Sequence, residues 1–230
     1  MKFHIGVLAS GSGTTAEAFI RAGQKGEIDT DVDLVICNNA NAGIFERIEN
    51  LNKEFGLKIR CELINGITHP ALANESIIKG SQTKAEEAAI LKIFLSLSLD
   101  AIVQMGYLKR TGPHIVEQFG WQPEYTNNYQ AKLLNTHPGL LPETEGLYGI
   151  YVQQYVIENR LPFGGQTLHL VAEKYDDGPT LAEYKVAVAP DDTAESLFEK
   201  VQAVEKQHIP SDIQNFISKK EAYNNQFKEG

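Results

Sequence analysis

Short apolar runs alternate with segments of helical period along the first half of the chain. Residues 3–8 and 32–37 are apolar runs that predict strands. Between them, 14–25 predicts a helix that follows a Gly-rich turn. Segment 41–55 places Ile44, Ile48 and Leu51 on one helical face. A short strand is predicted at 59–63, a helix at 84–97 and a buried strand at 100–105. Residues 113–119 predict a helical turn with a proline near its start, where a missing N–H costs little. This alternation predicts an α/β fold: a mostly parallel, twisted sheet with helices on both faces. Segment 65–83 has no clear period and reads as a loop. Segment 121–130 is polar and aromatic and reads as an inserted surface loop.

Further on, an apolar strand carries Asn135 and His137 and stops at Pro138-Gly139. A helix is predicted at 148–159, and strands at 166–171 and 184–188. These strands flank the acidic turn Tyr175-Asp176-Asp177-Gly178-Pro179. Asp192, with Glu195 three residues later, is a capping-box signal for a last helix that continues through Leu197, Val201 and Val204. Pro210 should kink or interrupt that helix. The charged tail from Lys219 onward should fray. With no repeat and no linker, residues 1–230 read as one domain. Its N-terminal half is 1–105, its C-terminal half 106–218 and its charged tail 219–230.

The 230 residues carry a net charge of -9. That argues against non-specific nucleic-acid binding, which needs a basic face to displace counterions. No apolar run is long enough to span a bilayer. The segment before Phe3 is too short for a signal peptide. Cys37 and Cys61 fall in predicted strands, as reduced thiols of a cytoplasmic protein would. The expected partners are small molecules, with no nucleic acid and no membrane, for a monomer or homodimer.

Ser10-Gly11-Ser12-Gly13-Thr14-Thr15 follows the first strand and opens a helix. Small residues let backbone amides approach an anion, and a helix N-terminus favours negative charge. The competing reading is a tight turn that binds nothing. A dinucleotide site would want an acidic residue after the second strand. The chain has Cys37-Asn38-Asn39 there, and it lacks the lysine of a P-loop.

His137 precedes a proline, so its backbone is extended, at the strand end where open α/β sheets bind ligands. Asn135 lies two residues earlier, on the same side of the strand. Together they suit proton transfer and oxyanion binding. The bland alternatives are a histidine that satisfies a buried carbonyl and an amide that stabilises a turn. Asp176 and Asp177 precede Gly-Pro, where one of them suits an Asx turn. The other histidines show no ligand spacing. No Cys/His/carboxylate cluster suggests zinc, so no metal is expected.

Taken together, these motifs resemble the folate-dependent formyltransferases. Asn135 to Pro142 matches the family's Asn-x-His-Pro-x-Leu-Leu-Pro, and Asp176 to Pro179 matches its acidic Asp-Gly-Gly-Pro loop. Ser10 to Thr15 resembles its phosphate loop and Gly106 to Lys109 its Gly-Phe-Met-Arg stretch. Glu205 stands five residues before Pro210, as a family glutamate does. The chain departs from the family pattern at Thr15, Lys109, Tyr148, Asp177 and Lys206.

The resemblance implies a three-layer, Rossmann-like fold and a cis bond between Leu141 and Pro142. It implies formyl transfer from 10-formyltetrahydrofolate, as co-substrate, to a primary amine, that of glycinamide ribonucleotide. The catalytic set would be Asn135, His137 and Asp176. Gly13, Thr14 and Thr15 would hold the acceptor's phosphate and Glu205 its amine end. Leu108, Lys109, Arg110 and Thr111, with Asn135, Asp176 and the 173–178 loop, would bind folate. An amine such as that of a nucleotide-linked amino sugar is an alternative acceptor. A non-catalytic sugar-phosphate binding module is a reading from another class.

Overall fold

In the computed structural model, which describes residues 2–226, the apolar runs form one seven-stranded sheet. In chain order its strands are β1 (Phe3–Ala9), β2 (Thr30–Cys37), β3 (Arg60–Leu63), β4 (Ala101–Met105), β5 (Leu133–His137), β6 (Phe163–Leu170) and β7 (Thr180–Ala187). In space the order is β3-β2-β1-β4-β5-β6-β7. Neighbours from β3 to β5 are parallel, and β6 alone runs against the rest.

Alternate residues of each strand face opposite layers. Ile5, Val7, Val35, Val103 and Leu134 pack against α1 (Thr14–Gln24), α2 (Ile44–Phe55) and α6 (Ala194–Gln226). Leu8, Leu34, Ile36, Ile102 and Leu133 face α3 (Lys84–Leu95) and α4 (Pro113–Phe119). Strands covered on both sides must be apolar throughout, which is why 3–8 and 32–37 show no alternation. On α5 (Ile150–Glu158), Val156 packs against Leu197 and Val201 of α6. The expected three layers are therefore present.

The last helix differs from expectation at three places. Its cap is Thr193 with Ser196, each side chain accepting the other's backbone N–H at 3.2 and 3.0 Å. Asp192 lies one residue too early to cap, and its carboxylate instead takes the Ala189 N–H and the Lys200 ammonium. The helix also runs unbroken for 33 residues through Pro210. Proline removes one ladder bond, but Ile209, Ile213, Phe216 and Ile217 bury on the sheet on both sides of that gap. Finally, residues 219–226 are helical, and Lys220 is buried. Its ammonium donates to the carbonyls of Tyr129 and Ala131, the latter at 2.9 Å. Burial pushes its pKa down to about 8. The remaining predicted tail, 227–230, lies outside the described residues.

The same contacts explain the 121–130 insertion. Trp121, Tyr125 and Tyr129 pack against the core, and the Tyr129 ring meets Phe216 at 5.9 Å. Segment 65–83 is a loop, as expected, but it is tethered. Arg110 N–H donates to Gly80 O at 2.7 Å, and Gln82 N–H donates to Arg110 O at 3.1 Å.

Candidate active site

The chain leaves β1 for β2 and returns through β4 on the other side, so the loops after β1 and β4 diverge. A crevice at that switch point is where open α/β sheets take ligands. Ser10 Oγ donates to Asn38 Oδ1 at 2.5 Å and accepts the Leu108 N–H at 2.8 Å. One hydroxyl thus ties together the ends of β1, β2 and β4. A cleft of about 220 Å³ opens there, bordered by Gly11 to Thr15, Leu108, Asn135, His137 and Glu205.

Gly13 sits before α1 at φ 74, a left-handed geometry that favours glycine. A Cβ there would lie 2.6 Å from Ile44, so the site also lacks room for one. Thr14 and Thr15 open the helix, where first-turn N–H groups have no partner within the helix. Thr15 Oγ1 donates to Glu205 Oε2 at 3.3 Å. Burial raises the pKa of Glu205, and hydrogen bonds from Thr136 and Thr15 partly oppose that rise. The glycine turn before α1 and the α6 carboxylate therefore belong to one cleft.

Asn135 and His137 leave β5 on one side, as the period of two requires. His137 Nδ1 faces Asp176 Oδ2 at 3.6 Å, and Nε2 meets Thr144 Oγ1 at 2.9 Å. Asp176 stands behind the imidazole at φ 53, a conformation that aspartate tolerates better than most residues. Its Oδ2 accepts the Gly146 N–H at 3.1 Å. Asp177 points to solvent and pairs with Lys174, so the adjacent acids part company. Burial pushes His137 down to about 4, with the Asp176 charge opposing and His169 adding to the drop. The ring is neutral at neutral pH and able to accept a proton. The Leu141–Pro142 bond just beyond is cis, as the resemblance implies.

His169 has no role in the sequence spacing, yet the structure brings it into this group. It lies opposite Asn135 in the antiparallel register of β5 and β6. Its Nδ1–H donates to the Leu170 carbonyl at 2.8 Å, which leaves Nε2 as the acceptor. Asn135 Nδ2 donates to that nitrogen at 3.0 Å. One amide hydrogen thus fixes the side chain, and the second is available to an oxyanion. His169 Nε2 also stands 3.6 Å from Asp176 Oδ1. Only strand pairing, rather than chain spacing, could have revealed this residue.

The expected folate-binding residues separate. Leu108 borders the first cleft. Arg110 and Thr111 line a second cavity, about 540 Å³, with Glu173 and Gln82. Arg110 closes one wall by donating to the Glu173 carbonyl at 2.9 Å. Lys109 turns away, and its ammonium is held by the buried Glu86 carboxylate at 2.5 and 2.7 Å. A buried carboxylate left unpaired is costly, so this pairing takes precedence over an open cleft.

Residues 3–213 match the family model described as formyl transferase, and the chain belongs to that family. The relatives are more particular. A phosphoribosylglycinamide formyltransferase of Haemophilus influenzae is 29% identical over 212 residues, covering 92% of this chain and 86% of its own. The chloroplastic enzyme of that name from Arabidopsis thaliana is 28% identical over 199 residues, or 86% of this chain. The matched part is 59% of the Arabidopsis protein's length. The crystal structure of the Bacillus halodurans phosphoribosylglycinamide formyltransferase superposes with a TM-score of 0.76 at 28% identity, covering 94% and 96% of the two chains.

Proposed function

We propose that this chain transfers a formyl group from 10-formyltetrahydrofolate to the primary amine of glycinamide ribonucleotide. The observation that carries this reading is one cleft lined by the Gly13–Thr15 turn, buried Glu205, Asn135 and His137, with Asp176 3.6 Å behind the imidazole. An acceptor with a phosphate at one end and an amine at the other spans these parts. The amides of Gly13, Thr14 and Thr15 bind the phosphate, and Glu205 binds the glycinamide end. The cavity lined by Arg110 and Thr111 would take the pteridine, and Leu108 lines the neighbouring catalytic cleft.

Attack of an amine on a formyl carbon creates a tetrahedral oxyanion. Asn135 donates its free amide hydrogen to that oxygen. His137 takes the proton that the amine loses, and Asp176 stabilises the resulting imidazolium. Loss of one oxyanion donor costs about a hundredfold or more in rate.

The test is an assay of the purified protein with 10-formyltetrahydrofolate and a panel of amines, with water as control. Fast turnover of glycinamide ribonucleotide alone supports the reading. Preference for an amino sugar would reassign the acceptor. Equal turnover with water alone would make the chain a hydrolase.

A further inference from the structure

The two nitrogens of His137 have different surroundings, and these decide which one carries the proton. Nε2 lies 2.9 Å from Thr144 Oγ1. That hydroxyl has its own acceptor, the Leu140 carbonyl, also at 2.9 Å. It has a single hydrogen. Once this is donated to Leu140, the oxygen is free only to accept, and the partner it accepts from is Nε2–H. Nδ1 faces Asp176 at 3.6 Å, beyond hydrogen-bond reach. Among the described residues, no side-chain acceptor lies within hydrogen-bond reach of Nδ1, whereas a proton on Nε2 has one in Thr144 Oγ1.

A second observation bears on the same contact. A Cβ on Gly139 would lie 2.2 Å from Thr144 Oγ1 and 2.9 Å from His137 Nε2. Gly139 occupies the open position of the Asn-x-His-Pro-x motif. Its missing side chain leaves the space in which hydroxyl and imidazole meet. Thr144 itself is buried, and its N–H also bonds to Leu140 O at 3.1 Å.

We propose that Thr144 is a positioning residue that fixes His137 as the Nε2–H tautomer and so makes Nδ1 the base. This rests on the acid–base role proposed for His137. When the amine attacks, its N–H bond breaks and an Nδ1–H bond forms, directly or through one water. The resulting cation lies against the Asp176 carboxylate. The proton then passes to the departing nitrogen of the donor, and His137 returns neutral. The opposite tautomer would aim its lone pair at Thr144, away from Asp176.

The test is nitrogen-15 NMR of the histidine rings at neutral pH without substrate, assigned by comparison with His137→Ala. The wild type and Thr144→Ser are expected to show the proton on Nε2. Thr144→Val and Gly139→Ala are expected to shift it toward Nδ1. In Thr144→Val, kcat should fall about tenfold to a hundredfold, less than the roughly 100- to 10,000-fold that the base itself supplies. KM for both substrates should stay within about twofold, and Thr144→Ser should restore kcat. An Nδ1–H signal in the wild type overturns the proposal, as does an unchanged tautomer in Thr144→Val. Normal turnover by His137→Ala would overturn the acid–base role instead, and the ring spectrum is read independently of that.

Discussion

Thr15 and Glu205 are 190 residues apart in the chain, yet a hydrogen bond of 3.3 Å joins them at the mouth of α1. This contact sets the distance between the proposed phosphate-binding turn and a buried carboxylate. In Glu205→Gln, loss of a charge-assisted bond to the acceptor should cost about 1.5–3 kcal/mol in kcat/KM. Affinity for a non-reactive folate analogue, measured by titration, should barely move. Unchanged kcat/KM for glycinamide ribonucleotide would remove Glu205 from acceptor binding.

The adjacent acids give a sharper contrast. Asp176→Asn should cut kcat by orders of magnitude, because in the proposed mechanism the carboxylate stabilises a cation formed during the reaction. Asp177→Asn should leave kcat within about twofold, since its exposed pair with Lys174 is screened by solvent and lies outside the catalytic group. Steady-state kinetics on the two variants decides the matter. Similar losses in both would contradict the assignment.

His137 links the site to acid stability. Its folded pKa of about 4 lies below the usual histidine value near 6.5. Between those values the unfolded chain binds more protons, so stability rises with pH across that window. The contribution is complete above about pH 6.5 and is lost as pH falls toward 4. His137→Gln should flatten this part of the curve relative to wild type. Urea midpoints at half-unit steps from pH 4 to 7 provide the check.

At Gly13, binding and folding are coupled. Valine there would meet Ile44 and force a branched side chain into a left-handed backbone. Gly13→Val should lower Tm and raise KM for the phosphate-bearing acceptor more than it lowers kcat. In the wild type, inorganic phosphate should shift the amide resonances of residues 13–15. Their indifference to phosphate would count against an anion site.

Asn135, His137 and Asp176 were legible because each belongs to a short string whose local geometry is self-contained: a strand end, an X-Pro step, a Gly-Pro turn. The strands 3–8, 32–37 and 100–105 were legible for a related reason, since burial on both faces leaves a continuous apolar mark. His169 and Thr144 were not legible. Their partners are set by antiparallel pairing and by the fold of a loop, which no spacing encodes. Lys109 illustrates the converse. A motif gives its position but not its direction, and Glu86 on another helix decides that. Pro210 was misread because a local rule about one lost hydrogen bond was outweighed by apolar burial on both sides of it.

The helix that carries Glu205 also covers the sheet, with consequences for the order of assembly. Until its 33 residues leave the ribosome, the strand face it shields stays bare and the cleft lacks Glu205. Contacts of such long sequence separation form late and slowly. On the role proposed for Glu205, a nascent chain is exposed to aggregation and catalytically inert over the same interval. Both conditions end in one docking event, so enzymatic activity reports completion of the fold.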